Sequence, residues 1–318
     1  MKKTKTKTVS IIVPCFNEEE ALPLFYKETT KVLKEIKHNY ELIFVDDGSK
    51  DETLKTIEKL AQKDKHVVYL SFSRYFGKES AMYAGLKNAI GDYVGFMDAD
   101  LQHPPVLLKQ MVSKLDTSEY DCVACRRVNR DGDPKIKTFF AKKFYQIINK
   151  ISDAQMTDGA GDYRLMNRKM VNAILSISEY NRFSKGIFSW VGFNTYWIEY
   201  KNVDRVAGNT SWSFWGLVKY AVSGITSFSN APLNIATWAG LLFALIAFIY
   251  LIFVVVKFIL FGDPVQGWAT TICVILIIGS IQLFSLGIIG QYLGKTFMEV
   301  KNRPRYIINK SNRKSKHE

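Results

Sequence analysis

The chain has 318 residues, of which 47% are hydrophobic and 23% are charged, which is enough for one large domain or two small ones. Its formal net charge of +13 suggests nucleic acid, an anionic membrane surface or anionic substrates as partners. Cys122 and Cys125 form a Cys-x2-Cys pair, but neither a second pair nor a histidine cluster completes a zinc site. The opening segment, MKKTKTKTVS, leads straight into strand-like sequence, so no secretory signal peptide is expected.

The first 200 residues alternate short apolar runs with amphipathic stretches. The apolar runs, predicted as strands, are VSIIVPCF, YELIFVDDGS, VVYLSFS and DYVGFMDAD. The stretches between them, predicted as helices, are EEALPLFYKETTKVLKEIK, DETLKTIEKLAQK and GKESAMYAGLKNAI. This order predicts an α/β fold with a mostly parallel sheet that is covered by helices.

Carboxylates follow two of these predicted strands, as Asp46 with Asp47 and as Asp98 with Asp100. Ligands of such sheets bind beyond the carboxyl ends of the strands, so we expect the four side chains to share one crevice. Two carboxylates two residues apart at a turn can reach a single divalent cation, and hard oxygen ligands suit Mg²⁺ or Mn²⁺. Asp-x-Asp alone is a weak signal, because acidic turns are common.

Two stretches have the pattern of membrane-interface helices. In KIKTFFAKKFYQIINKI, residues 135–151, aromatic and aliphatic side chains fall mostly on one helical face beside lysines. A core helix with a lysine-rich outer side is the alternative. In SWSFWGLVKYAVSGITSFSN, Trp212 and Trp215 suit the headgroup region.

The C-terminal third contains two long apolar stretches, PLNIATWAGLLFALIAFIYLIFVVVKFILF and ATTICVILIIGSIQLFSLGIIGQYLG. Each exceeds the roughly 20 residues that cross a bilayer. The following tail is dense in Lys and Arg and the loop 262–268 has neither, so the positive-inside rule places both chain ends in the cytoplasm. We therefore expect a cytoplasmic domain with interface helices at 1–230, a transmembrane hairpin at 231–294 and a basic cytoplasmic tail at 295–318.

The positions of the basic residues distinguish a nucleic-acid partner from an anionic membrane surface. The excess lies at the termini and beside the membrane-facing segments rather than on a motif that contacts bases or a nucleic-acid backbone, so a nucleic-acid partner is not expected. The tail either binds anionic lipid or serves only as a topology signal.

Several motifs occur together and in order: IIVPCFNEEE, VDDGSKDET, SFSRYFGKESA, DADLQHPP, GDYRLMNRK, NRFSKGIFSWVGF and RVAGNTSW. Over almost the whole chain this set resembles the family-2 glycosyltransferases, whose Rossmann-like nucleotide-binding fold is called GT-A. The resemblance is greatest to the polyprenyl-phosphate branch, which includes bacterial bactoprenol glucosyltransferases and dolichol-phosphate mannose synthases. The Q-x-x-R-W motif and the additional spans of cellulose-type and chitin-type synthases are not found.

The resemblance implies roles for individual residues. Those implied to bind the nucleotide sugar are Pro14, Asn17, Glu18, Asp46, Asp47, Asp98 and Gln102. Asp98 and Asp100 are implied to bind Mg²⁺ or Mn²⁺. Those implied to bind the acceptor phosphate are Arg126, Arg127, Arg164, Lys142 and Arg205, and those implied to act in catalysis are Asp162, Asp100 and Arg126.

Some positions carry alternatives or a different implied role. A lipid phosphate needs little deprotonation, so Asp162 is expected to orient the acceptor or balance the arginines rather than to act as an obligatory general base. The alternative is that Asp162 caps a helix that begins near Arg164. The residues implied to close over the pocket near the membrane are Arg205, Gly208, Thr210 and Trp212. Asn167 stands where relatives often have Asp.

The activity that the resemblance implies is inverting transfer of a single sugar from a UDP-sugar to undecaprenyl phosphate at the cytoplasmic leaflet of the plasma membrane. Glucose and N-acetylglucosamine are the favoured sugars, and GDP donors stay open. The alternatives are a processive polysaccharide synthase of the same fold and a catalytically inactive membrane scaffold. Two-span relatives suggest a homo-oligomer, with a tetramer as one form.

Overall fold

A computed structural model describes residues 6–127, 143, 145–146, 148–152, 155–157, 159–200, 222, 224–261 and 267–313. Most of the predicted interface helix at 135–151 falls outside these residues. The predictions for Lys142, Arg205, Gly208, Thr210 and Trp212 also lie outside the described residues.

Eight strands and eight helices have defined bounds in the described part of the chain, which also includes helical residues at 148–151 and 224–228. The strands are β1 (Thr8–Cys15), β2 (Asn39–Asp46), β3 (Val67–Phe72), β4 (Tyr93–Phe96), β5 (Cys122–Arg127), β6 (Ala160–Asn167), β7 (Thr195–Tyr200) and β8 (Ile308–Ser311). The helices are α1 (Leu22–Glu35), α2 (Thr53–Lys63), α3 (Lys78–Asn88), α4 (Leu107–Asp116), α5 (Arg168–Ser176), α6 (Ser184–Trp190), α7 (Ala231–Phe261) and α8 (Trp268–Val300).

The strands form one sheet in the order β7-β5-β6-β4-β1-β2-β3-β8. β1 pairs in parallel with β2 and β4, β2 with β3, and β5 with β7. β6 is antiparallel to both β4 and β5, and β8 is antiparallel to β3. The predicted α/β fold with a mostly parallel, Rossmann-like GT-A sheet is therefore confirmed.

The central strands are mostly apolar because helices cover both faces of the sheet. In β1, Ile11 and Val13 belong to one core and Ile12 belongs to the other. The first core packs against α1, α2 and α4, and the second packs against α3, α5 and α6. This layering leaves the carboxyl ends of the parallel strands uncovered by helices. We call this row of strand ends the open edge of the sheet.

Two long helices, α7 and α8, follow the sheet. The spans Ala231–Tyr250 and Ile277–Val300 have mean hydropathies of 1.9 and 1.4, and neither is buried within the protein. Tyr292 of α8 donates a hydrogen bond to the Ser229 carbonyl at 2.6 Å, and Lys295 donates one to Ser227 Oγ at 2.9 Å. These bonds hold the end of α8 level with the start of α7. Length and composition make both helices able to cross a membrane, which indicates a membrane-associated protein.

The chain returns to the sheet after α8, which the sequence did not predict. Residues 308–311 form β8 against β3, with Leu70 opposite Ser311 and Ser71 opposite Lys310. Asn312 accepts a hydrogen bond from the Tyr69 amide at 2.8 Å. The segment interpreted as a basic tail thus completes one edge of the sheet.

The structure corrects the helix-capping alternative for Asp162. Asp162 and Arg164 both lie in β6, and the next helix, α5, begins at Arg168. Its N-cap is Asn167, whose side chain accepts a hydrogen bond from the Met170 amide at 2.9 Å. Asn167 is opposite Tyr93 at the start of β4, the end of that strand away from the Asp98 crevice, so it has a structural role.

Candidate active site

The loops after β1 and β2 are tied together by hydrogen bonds. The Asn17 amide donates to Ser49 Oγ at 3.0 Å, and Asn17 Oδ1 accepts from the Lys50 amide at 2.9 Å. The Glu18 amide donates to Thr53 Oγ1 at 2.8 Å. Asn17 also has a left-handed backbone, with φ of 55°, which asparagine tolerates better than most residues. Two residues predicted to bind the nucleotide therefore stand in a fixed loop at the open edge.

Asp46 joins the ends of β2 and β3. Its Oδ1 accepts from the Ser49 amide at 3.0 Å and its Oδ2 accepts from Ser71 Oγ at 2.8 Å. Neighbouring Pro14 and Cys15 end β1 and pair with the last two residues of β2. Burial, followed by the charges of carboxylates that include Asp46, raises the pKa of the Cys15 thiol.

Asp47 fixes the approach to α3. Its two carboxylate oxygens accept the backbone amides of Phe76 and Gly77 at 2.7 and 2.8 Å. Burial raises the pKa of Asp47 to about 6, against the opposing effect of these two hydrogen bonds. Gly77 has φ of 96°, a conformation that favours glycine, and the helix begins at the following residue, Lys78.

Lys78 connects the carboxylates of β4 and β6. Its Nζ lies 2.7 Å from Asp98 Oδ1 and 2.8 Å from Asp162 Oδ2. Loss of hydration opposes the charge on Lys78, but Asp162 and Asp98 outweigh it and raise the pKa of the amine. Loss of hydration likewise acts against the Asp162 carboxylate, while Lys78 and then Lys185 hold its pKa below the usual range. The sequence placed Lys78 in a motif but assigned it no role.

Binding of a divalent cation by Asp98 and Asp100, with further ligands from a substrate, stays a prediction. Asp100 Oδ1 accepts the Gln102 amide at 3.1 Å across a turn in which Leu101 has φ of 56°. Within the residues the structure describes, no group of three or more His, Cys, Asp or Glu side chains is arranged to hold a metal. Mg²⁺ usually binds to one or two carboxylates together with substrate phosphates, which is the donor set available here.

An aromatic wall, which the sequence did not predict, stands beside this turn. His103 stacks on Tyr163 with ring centroids 5.0 Å apart and meets Tyr200 edge-on at 6.1 Å. The Tyr163 hydroxyl donates to the Pro104 carbonyl at 3.0 Å. Burial is the main cause that raises the pKa of Tyr200 to about 12, with Asp98 among the nearby charges that add to it. The available signals were the motifs DADLQHPP, which includes His103, and GDYRLMNRK, which includes Tyr163.

Arg126 and Arg127 lie at the carboxyl end of β5. Because β5 and β4 are both antiparallel to β6, they run in the same direction and end at the same edge. Arg126 forms an ion pair with Glu199 of β7, donating through Nε at 3.1 Å and also through Nη2, and its side chain is 40% exposed. The Arg127 amide donates to the Gly159 carbonyl at 3.0 Å. Phosphate binding by either arginine stays a prediction.

Arg164 has a more enclosed setting. Its guanidinium lies over the Phe188 ring, 3.7 Å from the centroid, and donates to the Gly161 carbonyl at 2.9 Å. Arg164 is 4% exposed and lines a cavity of about 280 Å³ together with Lys185 and Trp197. Burial lowers the pKa of Arg164 from its usual range. Its contact with an acceptor phosphate also stays a prediction.

Family models match two parts of the chain. Residues 10–175 match the model described as glycosyl transferase family 2, and residues 231–296 match the one described as GtrB C-terminal hairpin. The fold and the acidic crevice define a protein of the GT-A class. The chain belongs to glycosyl transferase family 2, so the resemblance that the sequence motifs indicated is confirmed.

Full-length relatives agree with this membership. The chain is 44% identical over 306 residues to the SfII prophage-derived bactoprenol glucosyl transferase of Shigella flexneri, covering 96% of this chain and 98% of that one. It is also 44% identical over 301 residues to the prophage bactoprenol glucosyl transferase homolog of Escherichia coli K12, covering 94% and 98%. The protein is therefore an enzyme of the glycosyltransferase class, in the branch that transfers sugars to polyprenyl phosphates.

Among solved structures, the chain is similar to glucosyl-3-phosphoglycerate synthase from Mycobacterium tuberculosis in complex with Mn²⁺, UDP-glucose and phosphoglyceric acid. The TM-score is 0.47 at 18% identity, with coverage of 69% of this chain and 78% of that one.

Proposed function

We propose that this protein transfers one sugar, with glucose ahead of N-acetylglucosamine, from a UDP-sugar to undecaprenyl phosphate at the cytoplasmic leaflet. The observation that carries the proposal is the convergence of Asp98 and Asp162 on Lys78 at the open edge of the sheet. The names of the two bacterial relatives support glucose and a bactoprenol acceptor. The UDP donor rests on the motifs VDDGSKDET and DADLQHPP.

The donor would bind along the carboxyl ends of β1, β2 and β4. The interlocked loops present Pro14, Asn17 and Glu18 to the nucleotide, and Asp46 and Asp47 hold the neighbouring strand ends in place. Asp98 and Asp100 would hold Mg²⁺ or Mn²⁺, with Gln102 beside them. When bound, the ion would neutralise charge on the departing diphosphate.

The acceptor phosphate needs little activation, because a phosphate monoester has a second pKa of about 6 and is largely a dianion at neutral pH. One of its oxygens attacks the anomeric carbon, the bond from that carbon to the diphosphate oxygen breaks, and UDP leaves with the electron pair. In-line attack inverts the configuration at this carbon. Asp162 therefore acts as an orienting group, held by Lys78, rather than as an obligatory base.

Cations on the acceptor side would bind the lipid phosphate. Arg126 is already oriented by Glu199 at the same sheet edge as the carboxylates, and Arg127 follows it. Arg164, Lys142 and Arg205 complete the proposed set. The amphipathic segment at 135–151 and the two spans would keep this edge at the bilayer surface, where the acceptor phosphate resides.

The test uses membranes that contain the full chain, incubated with radiolabelled UDP-glucose, UDP-N-acetylglucosamine or GDP-mannose. Butanol extraction and mass spectrometry should show undecaprenyl phosphate carrying one sugar. Asp98→Asn should reduce this product at least about hundred-fold, a loss like that of a transition-state charge contact. Lys55→Gln, a charge change on the exposed face of α2, should leave it unchanged.

Two results would overturn the proposal. One is the absence of any lipid-linked sugar with every donor while the protein is folded in the membrane. The other is a product with several sugars in one chain, which would favour a processive synthase. Full activity in Asp98→Asn would show instead that this carboxylate has no essential part in the transfer.

A further inference from the structure

A second cavity lies where the end of α8 meets α3, on the side of the molecule that leads into the membrane helices. Its volume is about 400 Å³, within the range of about 300–1,000 Å³ that is usual for small-molecule sites. The residues that the argument uses from its lining are Tyr83, Lys87, Tyr180, Glu299, Arg303 and Arg305. We call it the span-end cleft.

Positive charge predominates in the span-end cleft. Lys87, Arg303 and Arg305 all line it, and Arg303 forms no ion pair with any residue in the described part of the chain. The lining carboxylate is Glu299, whose Oε1 already accepts the Tyr180 amide at 2.6 Å and the Asn181 amide at 3.3 Å. Glu299 is thus partly used in holding the segment before α6, and it leaves the arginines only partly neutralised.

Two guanidinium groups contact the same aromatic ring beside the cleft. The Arg305 and Arg182 Cζ atoms are 4.4 and 4.8 Å from the centroid of the Tyr83 ring. Burial first, and then the charge of Arg305, lower the pKa of Arg182, while Glu79 and Glu179 act in the opposite direction. An anion in the cleft would relieve this repulsion between like charges, which the nearby carboxylates offset only in part.

The position of the cleft indicates where the anion comes from. The contacts of Tyr292 with Ser229 and of Lys295 with Ser227 set the level in α8 that lies beside the start of α7, and Lys295 is the first charged residue of α8. Residues 295–300 continue the helix beyond this level by about 9 Å, at roughly 1.5 Å per residue. The polar headgroup layer outside the hydrocarbon is about 5–8 Å thick on each side. The cations at 303 and 305 are therefore within side-chain reach of lipid phosphates.

We propose that the span-end cleft binds the phosphate headgroup of an anionic phospholipid, with Arg303, Arg305 and Lys87 as its ligands. The site is separate from the acidic crevice and does not depend on sugar transfer, because it needs only that α7 and α8 lie in a bilayer. A bound headgroup would join α3, whose first residue is Lys78, to the end of α8. The lipid would thereby fix the crevice relative to the membrane surface.

The experiment measures lipid retention by the full chain. Wild type, Arg303→Gln, the double variant Arg303→Gln/Arg305→Gln and the control Lys55→Gln are reconstituted in nanodiscs of phosphatidylcholine with 20 mol% phosphatidylglycerol. Retained lipid is counted by native mass spectrometry after extraction into detergent. Each removed charge should weaken retention by roughly five-fold, and the double variant by roughly twenty-five-fold. Thermal unfolding of each variant reports that it is folded.

Three outcomes decide the proposal. Preferential retention of phosphatidylglycerol by wild type and Lys55→Gln, with loss in the two arginine variants, supports it. Equal retention by wild type and the folded double variant overturns it. Stabilisation of the wild type by free glycerol phosphate to the same extent as by phosphatidylglycerol also overturns it, because the ligand would then be a soluble anion. Since no polyprenyl phosphate or sugar donor is present, failure here is distinct from failure of the proposed transfer.

Discussion

Lys78 holds two carboxylates that come from strands 64 positions apart in the sequence, Asp98 and Asp162. Removal of its charge in Lys78→Met leaves these like charges without the cation between them. We expect sugar transfer to fall about hundred-fold, which is the scale for one lost electrostatic contact in a reaction centre. The measurement is the initial rate of lipid-linked sugar formation, with the melting temperature recorded in parallel.

Lys78→Arg serves as the matched control, because it keeps the charge and changes the geometry. It should retain more activity than Lys78→Met at a similar melting temperature. Mn²⁺ binding, measured by electron paramagnetic resonance, is a readout independent of turnover. It reports on Asp98, which has no lysine partner in Lys78→Met. Equal rates for the methionine variant and wild type would show that the ion pair has no part in the reaction.

Asp47 gives the folded protein a distinctive pH dependence. Its pKa is raised to about 6, whereas an unfolded chain has an Asp pKa of about 3.9. The folded state therefore binds this proton more tightly, and the contribution of Asp47 to stability falls as pH rises from about 4 through about 6. The melting temperature of the wild type minus that of Asp47→Asn should therefore decrease across this interval. A difference that is flat or increases with pH would contradict the assignment.

The candidate site was predictable only where it follows from strand order. Asp46, Asp47, Asp98 and Asp100 stand at the ends of apolar runs, and a parallel sheet brings such ends together. Lys78 and the aromatic wall around His103 were not predicted. Their roles depend on contacts between segments distant in sequence, which no local pattern specifies.

Among the elements, β8 is held against the rest of the domain by two ion pairs, one more buried than the other. Arg313, just after the strand, pairs with Glu41, whose side chain is 7% exposed, and Lys310 pairs with the more exposed Glu58. Among the described residues, Arg313→Gln leaves Glu41 with only the Ser10 hydroxyl and the Ile90 amide as donors. We expect a loss of about 3 kcal/mol, because breaking an enclosed ion pair strands its partner. Thermal unfolding in detergent measures this loss.

Lys310→Gln is the control on the same strand. It removes an equal charge from an exposed pair, so its cost should stay below about 1 kcal/mol. Equal destabilisation by the two variants would show that the whole strand, rather than the Arg313 contact, sets the stability of this edge.

The sequence revealed β1 and β2 but not β8, and burial explains the difference. Both faces of β1 and β2 are covered, which produces long apolar runs. All four residues of β8 are exposed, and three of them, Asn309, Lys310 and Ser311, are polar. A short edge strand of this kind is defined by the hydrogen bonds of its neighbour, so its own composition contains little signal.

At the scale of the whole molecule, β8 constrains the topology independently of the positive-inside rule. The tail pairs with β3 of the sheet that precedes the spans. The sheet and residues 308–311 must therefore lie on the same side of the membrane, and two spans satisfy this requirement whereas one would not. The positive-inside rule predicts that this side is the cytoplasm, because the loop at 262–268 has no Lys or Arg.

This topology predicts the accessibility of introduced thiols. Native Cys15, Cys122 and Cys125 are buried, and the fourth native cysteine, Cys273, is replaced by serine in every variant, so an introduced exposed cysteine should dominate labelling. In intact cells, a membrane-impermeant maleimide should label Asp263→Cys, in the loop between the spans, and should not label Lys59→Cys on the exposed face of α2. Permeabilised cells should label both variants, which controls for reactivity. Labelling of Lys59→Cys in intact cells would place the crevice outside the cell, away from cytoplasmic sugar nucleotides, and would be incompatible with the proposed transfer.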